Sequence, residues 1–600
     1  MQDRSKPFCK KFFQKKYIII LLILLFCIRL FKLDADAPTY NILQYTRVDE
    51  GHYAMQAINN IMHREMALAK SIDGGAFQVW QASSSFLNTA FCTLTLFLFG
   101  DNYYGLRMGS FLAGLISFIL LLWMIAGSAH LTACLQNIDS DAKERRICFV
   151  LLAAGLMGIC NFPFLVACRF VDPGIFRIVI IMLTLWYVWY SCRRQGAPGY
   201  FILGVLSAFS VTWGYLTNIF VFVPCGILLL SELITYYRYK KSQNPWLKIG
   251  KFILGILLAF VTGEVILYLL QRYTFIDDTL LVYQSMGDDR VSTYWWMYKN
   301  NLVALLTGNI FGYNAAFMVL SVIAVLFLLY EGLRRSDRFY LYLSFLSIGF
   351  AAQSVFTNDN LIRKSIVIYP VLLTSIAFFL LSLDLQSFKA LKGKGRILLC
   401  LAVAALSALG FYMTVNRLSL LEEGDMNSGM KQFILWINLA GLLLFLLFLS
   451  IKKARTPILA WVVLAIAFLL PHLPLAYEYV VRAGYEDKTI MTQLGEIIGD
   501  DYVLGGYPYG YCLYNDFVPL SSTYDKFIPE ERDARAKVLL QDDKVNYFIG
   551  NDQSELIEPW LEGTDYHWEV VAVFEKTVRD YGGNRVLYVF KKCGQQETTP

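Results

Sequence analysis

Long apolar runs recur along most of this chain, and that recurrence limits the fold more than any other feature. A bilayer core of about 30 Å takes about 20 apolar residues as a helix, and every backbone polar group inside it must be paired. Such runs lie at about 17–31, 110–126, 147–167, 175–190, 201–213, 216–233, 252–270, 316–329, 341–355, 366–383, 397–415, 433–451 and 458–475. They predict a polytopic α-helical membrane protein with about thirteen transmembrane helices. Composition agrees: 56% of the 600 residues are hydrophobic and 17% charged, with a mean hydropathy of +0.48. Soluble domains are nearer a quarter charged. The net charge of +6 gives no argument for nucleic acid as a partner, and no basic patch with interleaved aromatics appears.

The first run follows Lys10, Lys11, Lys15 and Lys16. No small-residue cleavage site comes after it, so it reads as a retained span with a cytoplasmic basic flank. Residues 83–99 are apolar but short, with Ser and Asn interruptions. If they do not cross, the basic loops around residues 143–146, 193–194, 238–241, 334–335, 392–396 and 452–455 all fall on the N-terminal side. If they cross, every one of those loops moves outside, against the positive-inside rule. The segment is therefore expected as an interfacial helix on the outer surface. An odd span count then puts the C-terminus outside the cell.

Two domains are expected: a membrane domain over 1–476, with a first outer loop over 32–107, and a soluble extracytoplasmic domain over 477–600. The second alternates helical and strand patterns: helices at 488–498 and 530–541, strands at 502–506, 545–550, 569–575 and 585–591. It reads as a small, three-layered α/β unit without a phosphate loop or nucleophile elbow. Most cysteines sit in apolar runs and act as small hydrophobes. Cys512 and Cys593 are left either as a pair or as two isolated thiols.

Ionisable residues at a membrane need a partner or a task. Three clusters fall at expected outer ends of spans. Arg47-Val48-Asp49-Glu50-Gly51-His52-Tyr53 precedes an amphipathic stretch whose N-terminus favours carboxylates, and alone Asp49 reads as a helix cap. Arg169-Phe170-Val171-Asp172-Pro173 separates two apolar runs by a tight connection, either a local ion pair or part of a site. Asn358-Asp359-Asn360-Leu361-Ile362-Arg363-Lys364 places two cations where snorkelling or anion binding would use them. Carboxylates, an Arg–Asp pair and a cationic clamp on one face suit chemistry on a phosphorylated lipid. The five histidines are scattered, which gives no metal-ligand pattern.

In order and inferred side, these clusters resemble the GT-C membrane glycosyltransferases that use polyprenyl-phosphate sugars. That group includes protein O-mannosyltransferases and lipid A aminoarabinose transferases. Asp49-Glu50-Gly51-His52-Tyr53-Ala54 is similar to a D-E-x-x-Y-A signature, and Phe99-Gly100 with Arg107 to an F-G…R block. Arg169 with Asp172 resembles an R…D pair before a span; Arg363 and Lys364 before Tyr369-Pro370 resemble a basic outer loop. The likeness covers about 17–383. Trp80-Gln81-Ala82 stands where the family often has Pro-Pro-Leu, and the R-to-D spacing is short.

The resemblance implies an inverting hexosyl or pentosyl transferase in the cell membrane. It would move a sugar from a polyprenyl-phosphate donor to a hydroxyl on a cell-envelope glycan, lipid or protein. Asp49 would be the base, Asp172 a second carboxylate, and Arg363 and Lys364 the donor-phosphate ligands. Glu50, His52, Tyr53, Arg107 and Arg169 would shape the site, with Glu50 structural rather than catalytic. The resemblance names no cofactor, and it leaves open whether a divalent metal assists. Two other classes compete. A flippase or transporter would use Glu264 or Asn218 at mid-membrane. A membrane-anchored glycan-binding protein would use the aromatic run Gly506-Tyr507-Pro508-Tyr509-Gly510-Tyr511.

Overall fold

The computed structural model describes residues 15–36, 47–62, 86–128, 140–195, 197–214, 216–239, 244–271, 299–300, 302–305, 312–356, 366–382, 394–421, 426–450, 457–505, 511–513, 515–521, 536–551, 561, 564–580 and 583–595. Helices dominate it up to residue 498. They are α1 (Lys15–Phe26), α2 (Arg47–Met62), α3 (Phe86–Phe99), α4 (Tyr103–Gly127), α5 (Ser140–Cys160), α6 (Phe162–Ala167), α7 (Pro173–Gln195), α8 (Tyr200–Phe209) and α9 (Phe222–Tyr239). Then come α10 (Pro245–Gln271), α11 (Ala315–Arg335), α12 (Arg338–Phe356), α13 (Ile368–Ser382), α14 (Lys394–Ser419), α15 (Ser428–Ser450), α16 (Pro457–Val463), α17 (Leu473–Ala476) and α18 (Glu486–Ile498).

Among the described residues, eight helices are long and apolar enough to cross a membrane. The protein is a multi-pass membrane protein. Leu254, Leu257, Leu258, Val261 and Val265 of α10 are exposed on the protein surface, as a lipid-facing helix requires. α3 has 14 residues, which at 1.5 Å per residue reach about 21 Å, short of the hydrocarbon thickness. It buries Asn88, Thr89, Cys92, Thr95 and Leu96 and exposes Leu94, Phe97, Leu98 and Phe99.

Several apolar runs are not single helices. The run at 147–167 breaks at Asn161, whose side chain accepts from Phe164 N at 3.0 Å and starts α6 afresh, with Pro163 in its first turn. The runs at 201–213 and 216–233 pass through a π turn (Ser210–Gly214) and a 3₁₀ turn (Leu216–Val221). The run at 458–475 alternates α, π and 3₁₀ turns around Pro471 and Pro474. Apolar content predicted membrane spans there but could not report backbone winding.

Beyond α18 lies a five-stranded sheet: β1 (Tyr502–Gly505), β2 (Val518–Ser521), β3 (Val545–Asn551), β4 (Tyr566–Asp580) and β5 (Gly583–Gln595), in the order β2-β1-β3-β5-β4. β1 is parallel to β2 and β3; β5 runs antiparallel to β3 and β4. β2 is a strand that the sequence pattern did not predict, because Pro519 interrupts it. Pro is confined to sheet edges, and β2 is one. Met491, Leu494 and Ile498 of α18 share a core with Val503, Tyr547, Ile549, Leu587 and Val589. On the other face Leu504, Leu520, Val545 and Phe548 pack with Ala536, Leu539 and Leu540 of a helical turn at 536–541. This is a three-layered α/β arrangement. Cys512 is buried in the α18-side core, Cys593 is exposed, and both thiols are free.

Candidate functional site

The site begins where α1 ends. The last carbonyls of a helix have no partner within it. Past α1 the chain makes a 3₁₀ turn (Cys27–Leu30), and Lys32 takes a left-handed conformation, φ 49°. Arg169 donates to the carbonyls of Arg29 at 2.7 Å, Phe31 at 2.6 Å and Lys32 at 2.6 Å. Arg29 does the same for the end of α5: it donates to Gly158 O at 2.7 Å and Ile159 O at 3.1 Å. It also donates to Cys168 Sγ at 2.8 Å, and its guanidinium lies 4.0 Å from the Phe26 ring centre. Both arginines are buried. A cation at a helix C-terminus is favoured by the aligned peptide dipoles. Burial, then the nearby Arg107 and Arg29 cations, pull the Arg169 pKa down.

Arg107, near the start of α4, meets Glu50, near the start of α2. Its Nε donates to Glu50 Oε1 at 3.0 Å and its Nη2 to Oε2 at 2.6 Å, a bidentate pair with both side chains buried. Arg107 Nη1 also donates to the carbonyls of Leu33, at 3.0 Å, and Ala35. Its guanidinium lies 4.9 Å from the Tyr103 ring centre and 4.5 Å from that of Phe170. Glu50 Oε1 accepts a further bond from Val171 N at 2.9 Å. One carboxylate thus joins α2, α4 and the 168–172 connection. A buried ion pair repays its desolvation only with such complete bonding.

Arg169 and Asp172 do not pair with each other, contrary to the ion-pair reading of that cluster. Arg169 serves the end of α1. Asp172 Oδ1 accepts from Gly174 N at 2.7 Å and caps α7, with Pro173 as the first helical residue. The spacing of the two residues suggested a pair, but two helix ends compete for them.

Asp49 sits in the first turn of α2, one residue before Glu50; its side chain and that of His52 lie outside the described residues. Tyr53 is buried, and its carbonyl accepts from Asn88 Nδ2 at 2.6 Å, which ties α2 to α3. Arg363 and Lys364 lie outside the described residues; α13 begins just after them with Tyr369 buried. The structure therefore joins Glu50 to Arg107, and through Val171 to the connection that carries Arg169 and Asp172. Among the described residues, no group of three His, Cys, Asp or Glu side chains could hold a metal ion.

Sequence reasoning missed Arg29, Lys32, Asp34 and Asp36. A charge inside an apolar span is a signal in itself, and Arg29 carried it. Lys32, Asp34 and Asp36 read only as the end of the first span.

No protein-family model and no curated protein sequence matches this chain. Solved structures do. The crystal structure of ArnT from Cupriavidus metallidurans in the apo state aligns with a TM-score of 0.55 at 13% identity, covering 95% of this chain and 97% of that one. The same protein bound to undecaprenyl phosphate aligns with a TM-score of 0.53 at 13% identity, with the same coverage. At this identity the likeness is one of fold: this chain shares the fold of ArnT over nearly its whole length.

Proposed function

We propose that the protein is an inverting glycosyltransferase that moves a pentose or hexose from a polyprenyl-phosphate donor to an acceptor hydroxyl. The observation that carries this reading is the Glu50–Arg107 pair. It fixes the first turn of α2, and hence Asp49, against α4 and the 168–172 connection. The fold adds support, since ArnT was crystallised with undecaprenyl phosphate.

In this mechanism the Asp49 carboxylate takes the proton of the acceptor hydroxyl. The acceptor oxygen forms a bond to the anomeric carbon from the face opposite the phosphate. The bond from that carbon to the phosphate oxygen breaks, and the electron pair leaves with the lipid phosphate. Arg363 and Lys364 bind that phosphate as its charge grows. Asp172 is a second carboxylate that shapes the site from the start of α7. Glu50, Arg107 and Arg169 position the backbone, and His52 and Tyr53 line it from α2.

The same reading places the site on the outer face of thirteen spans, the N-terminus in the cytoplasm, and residues 477–600 outside as a separate domain. The acceptor is a cell-envelope glycan, lipid or protein. A positioned general base contributes roughly 10²–10⁴ in rate. Asp49→Asn in membranes supplied with lipid-linked sugar should therefore lose transfer by about that factor. Near-normal transfer by Asp49→Asn would overturn the assignment.

A further inference from the structure

The pentapeptide Lys32–Asp36 is held from two sides. Its backbone belongs to the candidate site: Arg169 holds the carbonyls of Phe31 and Lys32, and Arg107 holds those of Leu33 and Ala35. Its side chains belong to the C-terminal region. Lys32 Nζ donates to Val481 O at 2.9 Å and Ala483 O at 3.0 Å, at the end of the last helical segment of the bundle, Tyr477–Val481. The Asp36 carboxylate accepts from Glu486 N at 2.8 Å and Asp487 N at 3.2 Å, in the first turn of α18. Asp36 N donates to Gly484 O at 3.0 Å. Asp34 adds Tyr485 Oη at 3.5 Å and Lys488 Nζ at 3.8 Å.

The signs are those the helix dipoles favour: a cation on a C-terminal end and an anion on an N-terminal end. Tyr485 occupies the N-cap position of α18 and makes no side-chain cap bond. Asp36, about 450 residues away in sequence, supplies that cap instead.

We infer that Lys32 and Asp36 are positioning residues, which make docking of the C-terminal domain a condition for an ordered Asp49. The path is short: α18 to Asp36, the pentapeptide backbone to Arg107, Arg107 to Glu50, and Glu50 to its chain neighbour Asp49. The left-handed backbone at Lys32 turns the side chain toward residues 481–483 while its carbonyl faces Arg169. Loosening α18 thus frees the pentapeptide, and with it the support of the α2 N-terminus. This inference rests on the glycosyltransferase reading only for the meaning of Asp49; the coupling itself is mechanical.

The experiment is amide hydrogen exchange on the full chain in nanodiscs. Asp36→Ala should speed exchange about tenfold at 486–498 and also at 47–62. Asp36→Asn, which keeps a cap acceptor, should stay near wild type, and Lys32→Met should loosen both segments like Asp36→Ala. Turnover should fall in Asp36→Ala with little change in KM for the lipid-linked sugar. Faster exchange at 486–498 with 47–62 unchanged would overturn the coupling, as would unchanged exchange at both. Asp49→Asn separates the two ideas. It should leave exchange at both segments as in wild type, so a failure of the Asp49 assignment shows in transfer alone.

Discussion

At the scale of single residues, the central fact is that Glu50 and Arg107 act as one unit. Each has its charge buried and each is bonded at several atoms. Removing one partner leaves the other charge uncompensated, which typically costs about 3–5 kcal/mol. Arg107→Met and Glu50→Gln should each lower thermal stability in detergent by about that much, and the double variant should lose much less than their sum. Additive losses would show that the pair is not coupled. The sequence made part of this legible. Glu50 and Arg107 were each singled out, Glu50 as structural. Their partnership was not readable, because 57 residues separate them and no local spacing rule connects them. Arg169 and Asp172 show the opposite failure. Three residues apart, they invited pairing, and the free carbonyls of α1 and the free N–H groups of α7 took them instead.

At the scale of elements, the apolar runs were legible and their interruptions were not. Asn161 ends α5 and starts α6 by a side-chain bond to Phe164 N. In sequence it is one polar residue in a long apolar stretch. Close helix contacts were likewise hidden in scattered glycines. A Cβ on Gly255 would fall on the Phe201 carbonyl, and one on Gly204 on the Phe252 carbonyl, so α8 and α10 touch backbone to backbone. Small residues allow such approach between membrane helices. Gly255→Leu should therefore lower the yield of folded protein and its thermal stability in detergent. Gly226→Ala on α9, where a Cβ meets nothing within 4 Å, should be neutral or gain about 0.5–1 kcal/mol. Equal behaviour of the two variants would contradict the packing described.

At the scale of the whole molecule, polar groups at helix ends organise a bundle whose faces are nearly all apolar. Arg29 caps α5, Arg169 caps α1, Asp172 caps α7 and Asp36 caps α18. Three of these four meet around the turn that follows α1. The overall class could be read from the apolar runs, and four of the five strands of the C-terminal sheet from alternation, because burial of one face imposes it. The docking of α18 onto residues 32–36 could not, since it depends on a few side chains at great sequence separation. On the function proposed above, these fixed helix ends hold Asp49 for sugar transfer from a lipid phosphate. The most direct test is mass spectrometry of the polyprenyl-phosphate sugars in cells lacking the protein. One lipid-linked sugar should accumulate, the wild-type chain should clear it, and Asp49→Asn should not. An unchanged lipid profile, or clearance by Asp49→Asn, would contradict the account.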